Sequence, residues 1–125
     1  MSGKSSELTG RRVFVVEDEW LVSILLRDTL VAIGCEVAGS ATRYKEAAEK
    51  AETLAFDVAI LDINLDGERT YPIAESLAAR GIALVFATGY DFEALPEPFH
   101  NAPILQKPFR QSDLERALRE ALEPY

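Results

Sequence analysis

Two adjacent acids, Glu17 and Asp18, a single acid, Asp62, a hydroxyl, Thr88, and one lysine, Lys107, are the residues best placed to do chemistry in this chain. Each lies at the end of an apolar run: residues 13–16, 58–61, 82–87 and 104–105. Three carboxylates brought into one pocket repel unless a cation or a proton joins them. Mg2+ prefers oxygen ligands and keeps several waters, so two carboxylates and a backbone carbonyl suit it. A carboxylate such as Asp62 is also a nucleophile that can form an acyl phosphate. Thr88 and Lys107 offer donors to phosphoryl oxygens, which gather charge during transfer.

Each residue also has a bland reading. Asp18 or Glu19 could simply cap the following helix and favour its dipole. Asp62 explains itself less well that way, because the next helical pattern begins several residues later. A lysine at a strand end is usually solvated, but Pro108 would fix where Lys107 points. Gly89 after Thr88 leaves open space for a ligand. The acids, the hydroxyl and the lysine acquire a shared meaning only if their strand ends meet.

The pattern of the chain makes them meet. Strand-like runs at 12–16, 35–40, 56–61, 82–87 and 104–105 alternate with helical stretches. From about Glu19, Val22, Leu25, Leu26, Thr29 and Ile33 share one helical face, and Gly34 is the expected stop. Thr42 is expected to cap a second helix with Tyr44, Ala47, Ala48, Ala51 and Ala55 inward. Asp66-Gly67 marks a turn. Pro72 suits the first turn of a third helix ending near Gly81. Ser112 and Glu115 read as a capping box for the last helix, with Leu114, Ala117, Leu118, Ala121 and Leu122 inward. Residues 91–103 carry Pro96, Pro98 and Pro103, so the fourth helix is expected to be short or irregular. Alternating βα units imply a parallel sheet with right-handed crossovers and helices on both faces. Five strands suit the flavodoxin-like order 2-1-3-4-5, with ligands at the carboxyl ends.

Composition bounds the function. With 125 residues the chain makes one domain with a core, expected over 11–125 after a loose tail at 1–10. A net charge of −8 argues against nucleic-acid partners. No run is long enough to cross a membrane as a helix, and the expected setting is cytoplasmic. Cys35 is the single cysteine and reads as a buried, inert thiol. His100, the single histidine, reads as a surface residue, and Trp20 either as a flank of the acid pocket or as a residue packed against a neighbouring loop.

Val-Val-Glu-Asp-Glu, Leu-Asp-Ile-Asn-Leu, Ala-Thr-Gly and Lys-Pro-Phe, in that order and spacing, make the chain resemble the receiver domain of two-component response regulators from about Arg12 to Leu122. The resemblance implies that Asp62 accepts a phosphoryl group from a sensor histidine kinase. It implies that Asp18, Glu17, Asp62 and the Asn64 carbonyl hold Mg2+, that Thr88 is the switch hydroxyl, and that Lys107 pairs with the phosphoryl group. The expected form is a stand-alone receiver rather than an enzyme acting on a substrate pool. A phosphotransfer protein or downstream protein would then be a partner, or the domain would drain phosphoryl groups.

Three departures follow. Asn64-Leu65-Asp66-Gly67 replaces the common Met-Pro, so the loop after Asp62 is expected to have its own shape. Ile104 stands where an aromatic switch is usual. Phe-Ala-Thr-Gly is similar to a subgroup nicknamed "FAT GUY", in which a loop aromatic, here Tyr90, is a candidate substitute. Two other readings remain open. One is a receiver-like binding module that works without phosphorylation. The other is an aspartate-nucleophile phosphatase of the haloacid dehalogenase type, although Asn64 stands where its second aspartate belongs.

Overall fold

The structure, a computed structural model, describes residues 8–89 and 94–123. Its elements in chain order are β1 (Arg12–Val16), α1 (Trp20–Ile33), β2 (Glu36–Ala41), α2 (Tyr44–Thr53), β3 (Val58–Asp62), β4 (Asn64–Leu65), β5 (Glu68–Arg69), α3 (Tyr71–Ala79), β6 (Ala83–Thr88), β7 (Ile104–Gln106) and α4 (Gln111–Leu122). The main sheet has five parallel strands in the order β2-β1-β3-β6-β7. Counting its strands alone, this is the expected 2-1-3-4-5 flavodoxin-like order.

The central strands are apolar on both sides because helices cover both faces. Val13, Val15, Ile60 and Val85 pack with Leu26, Leu30, Leu114 and Leu118 of α1 and α4. Phe14, Ala59, Leu61 and Phe86 pack on the other face with Ala47, Ala51, Ile73 and Leu77 of α2 and α3. Glycine punctuates the helices as expected: Gly34 closes α1 at φ 109, and its N–H donates to the carbonyls of Leu30 and Val31.

Several expectations shift by a residue or a face. The core begins before residue 11: Leu8 is buried against α1 and β1, and its carbonyl accepts from the Cys35 thiol at 3.4 Å. Leu8 thus belongs to the core although it lies within the tail expected over 1–10. Cys35 is buried, as expected. On α1, Leu25 is 48% exposed and Leu30 is buried in its place, because the buried stripe runs through Leu26, Leu30 and Ile33. Thr42 does not cap α2; its N–H is held by the Glu46 side chain at 3.1 Å. Ala55 lies beyond the end of α2 and is exposed. The last helix starts at Gln111, with Asp113 accepting from the Arg110 N–H at 2.8 Å. Ser112 and Glu115 are thus inside α4, and Glu115 pairs with Arg119.

The two loops on either side of the site differ from ordinary connections. After β3, the Asp66-Gly67 turn closes a small antiparallel hairpin of β4 and β5. Asp66 and Gly67 have φ 51 and 92, the left-handed pair that a two-residue I′ turn demands. In the crossover between β6 and β7, the described residues hold only a 3-10 turn at Glu97–Phe99. Pro96 and Pro98 cannot donate to a longer helical ladder. Phe99 is buried there, 5.3 Å from the ring of Phe86 and 6.1 Å from that of Tyr71. His100 is exposed.

Candidate functional site

The carboxyl ends of β1 and β3 bring Glu17, Asp18 and Asp62 together. One carboxylate oxygen from each lies within 4.8 Å of the others. Glu17 is fully buried; its backbone N–H donates to the Ala41 carbonyl at 3.1 Å, which fixes the end of β1. Asp62 closes β3 and pairs in register with Ala87 of β6. Neither Asp18 nor Asp62 caps a helix. The cap position of α1 is Glu19 and that of α3 is Thr70.

Lys107 joins the acids. Its backbone N–H donates to the Thr88 carbonyl at 2.7 Å, and a cis peptide links it to Pro108. Its ammonium lies 3.1 Å from Glu17 Oε1 and 3.4 Å from Asp62 Oδ2. Glu19 Oε1 is 3.8 Å from the same ammonium. Thr88 is buried at the end of β6, one strand over from Asp62. Asn64 lies on the near strand of the hairpin, and its N–H donates to Asp62 Oδ1 at 3.4 Å. Tyr90 lies outside the described residues. Ile104 is 39% exposed on β7.

The electrostatics follow from crowding like charges away from water. Burial, then the Glu17 charge, push the Asp62 carboxyl up to about 7, although Lys107 pulls it down. Burial also raises Glu17, against the Glu19 N–H and Lys107. Burial works against the Lys107 ammonium, but Asp62 and Glu17 outweigh it and raise its pKa above the ordinary lysine value. One ammonium is shared by three acids, so the pocket gains from a further cation. Two or three oxygen ligands with open positions fit a hard divalent ion such as Mg2+.

Three contributors were not singled out as site residues from sequence. Glu19 reaches Lys107 from the solvent side. The buried hydroxyl of Thr70 donates to the Asp62 carbonyl at 2.7 Å. The Asp66 N–H donates to Asp18 Oδ2 at 2.9 Å. Thr70 precedes a helix start and so carried a capping signal, but its hydroxyl serves the strand end instead. Nothing in the sequence announced the Asp66 contact, which depends on how the hairpin folds back.

Comparison with known proteins agrees with this geometry. Residues 13–119 match the family model of the response regulator receiver domain. The transcriptional regulatory protein PdtaR of Mycobacterium tuberculosis is 33% identical over 119 residues, 92% of this chain and 58% of that protein. The chain thus spans a little over half the length of that relative. The solution structure of SdrG from Sphingomonas melonis Fr1 is 37% identical, with a TM-score of 0.82, covering 91% of this chain and 98% of that one. The BeF3-activated conformation of SdrG, from Pseudomonas melonis Fr1, is 35% identical, with a TM-score of 0.76, covering 98% of this chain and all of that one. No helix among the described residues is long and apolar enough to cross a membrane. The chain belongs to the response regulator receiver family, the signalling domains of two-component phosphorelays.

Proposed function

We propose that this domain takes a phosphoryl group from a sensor histidine kinase onto Asp62, with Mg2+ held by Glu17, Asp18, Asp62 and the Asn64 carbonyl. The observation that carries the reading is the buried Asp62 carboxylate, 3.4 Å from the Lys107 ammonium and inside the three-acid cluster. An Asp62 oxygen attacks the phosphorus of a phosphohistidine. The P–O bond forms as the P–N bond breaks, and the departing imidazole takes up a proton. Lys107 keeps its position at Asp62 and neutralises the incoming phosphoryl oxygens. Thr88, at the neighbouring strand end, supplies a hydroxyl donor to the same oxygens. Bound Mg2+ supplies positive charge against the anionic acceptor and donor. Hydrolysis of the acyl phosphate by water then resets Asp62.

The donor must present its histidine beside α1. The outer face of that helix is unusually apolar for solvent: Trp20 and Leu21 are each 66% exposed, and Ile24, Leu25 and Val31 are exposed with them. Trp20 is two residues from Asp18 in sequence, and this apolar face suits an apolar helix of the donor. Output runs through protein contacts made by Tyr90 and the segment up to Pro103, or by draining phosphoryl groups from a shared kinase. The Phe-Ala-Thr-Gly motif and the non-aromatic Ile104 support placing the chain in the subgroup with a relocated aromatic switch. The domain operates in the cytoplasm, where kinases of this kind present their histidine.

Intact-mass measurement after acetyl phosphate treatment, with and without Mg2+, tests the reading in wild type and Asp62→Asn. One added phosphoryl group that needs Mg2+ and is absent from the variant is expected. Addition to the variant would remove Asp62 from its role.

A further inference from the structure

The hairpin after Asp62 does more than connect β3 to α3. Its tip comes back to the site and donates a hydrogen bond to a metal-site acid, from the Asp66 N–H to Asp18 Oδ2. Its base is tied to the other acid's strand. The Thr70 N–H donates to the Ile63 carbonyl at 3.0 Å, and the Thr70 hydroxyl to the Asp62 carbonyl. Hydrogen-bonded and non-hydrogen-bonded pairs alternate along an antiparallel ladder. Because Ile63 and Thr70 are bonded, the neighbouring Asn64 and Arg69 pair is not. The Asn64 carbonyl is therefore left outside the ladder, beside Asp62. Leu65, on the following residue, is buried in the core and pins the hairpin down. The Asn64 side chain is used internally, accepting from the Gly67 N–H at 2.8 Å.

We propose that this hairpin presets the cation site, with Asp66 and Gly67 as positioning residues. The Asp66 N–H orients Asp18 by holding one of its two oxygens. The ladder holds the Asn64 carbonyl free for the ion. Both effects depend on the left-handed turn at Asp66 and Gly67, and neither uses a side chain at the tip. This inference rests on reading the acid cluster as a metal site, and it assigns the hairpin a role which that reading leaves open.

The test is a Mg2+ titration of the full chain, followed by the fluorescence of Trp20, the single tryptophan. A methyl group on Gly67 would meet no atom within 4 Å, so Gly67→Ala perturbs only the turn conformation. It should weaken Mg2+ binding by about tenfold, the usual effect of losing a partner that orients a ligand. Gly67→Asn, which tolerates a positive φ, should restore most of the affinity. In the unmodified chain, the Asp66 amide proton signal should shift with the same midpoint as the fluorescence. Equal Mg2+ affinity in Gly67→Ala and wild type, or an Asp66 amide that ignores the ion, would overturn the role of the hairpin alone. Failure of the wild type to bind Mg2+ would overturn the metal site and this inference together.

Discussion

The loops after β3 and after β6 flank the same pocket, yet among the described residues only the first is tied by a hydrogen bond to a carboxylate of the site. The first is a hairpin fastened by backbone bonds: Asp66 to Asp18, Thr70 to Ile63, and the ladder between β4 and β5. The second, over its described residues 94–103, has one 3-10 turn, a backbone bond from the Phe86 N–H to the Pro103 carbonyl at its end, and Leu95 and Phe99 buried in the core, with Phe99 set against Phe86 and Tyr71. Backbone bonds fix geometry to a fraction of an ångström, whereas two apolar side chains in a socket, Leu95 and Phe99, can leave and return. Under the proposed function, the first loop would hold ligands still and the second would change when Asp62 is phosphorylated.

The sharpest way to break that contrast needs no mutation. With a beryllofluoride mimic on Asp62, amide exchange in residues 94–103 should change by the largest factor in the molecule, and residues 64–69 should stay protected throughout. Equal protection of 94–103 with and without the mimic would sink the assignment of the moving surface.

Phe99→Ala should come next in size. It empties part of the socket and should cost about 3 kcal/mol in denaturant unfolding, the usual effect of deleting a buried ring. It should leave Mg2+ affinity unchanged, because the cation site is held by the other loop. A loss of Mg2+ binding in this variant would show that the two loops are not independent.

Titration of Asp62 gives a smaller effect. Its folded pKa of about 7 is above the unfolded value, so the folded state holds the proton more tightly. The contribution to stability is fully present below the unfolded pKa of roughly 4 and is lost as pH rises through about 7. Without metal, Asp62→Asn should therefore be more stable than wild type. The gap should widen by on the order of 2 kcal/mol between about pH 5 and about pH 8. Urea midpoints in a chelator check this, and a gap that narrows with rising pH would contradict the raised pKa.

Thr70→Val should show the smallest effect. It removes the hydroxyl that holds the Asp62 carbonyl, for about 1 kcal/mol of stability. Thr70→Ser should keep the bond and most of that stability. If valine is no worse than serine, the base of the hairpin is held by its ladder alone.

The order of strands, both helical layers and the meeting of Glu17, Asp18, Asp62, Thr88 and Lys107 were legible from the sequence. That follows from one physical constraint: alternating βα units force parallel strands, and parallel strands put their carboxyl ends on one edge. Of the proline-bearing segment expected over 91–103 to be short or irregular, the described part holds only a 3-10 turn, because proline acts locally. The inward face of α1 was misread at Leu25 because both sides of that helix are apolar, and periodicity cannot choose between core and partner. The capping residues slipped because more than one polar side chain could serve each helix start.

Tertiary structure alone decided the rest. Asp66 and Asp18 are 48 residues apart, and their contact exists only because a left-handed turn folds the hairpin back over the end of β1. Leu8 is buried because α1 and β1 leave it a place. The raised pKa of Asp62 needs both the burial and the neighbouring Glu17 that folding creates. Sequence fixes which groups reach the pocket, because strand order is a property of the pattern. How those groups are oriented, and how much charge they bear, depends on distances that only the packed chain sets.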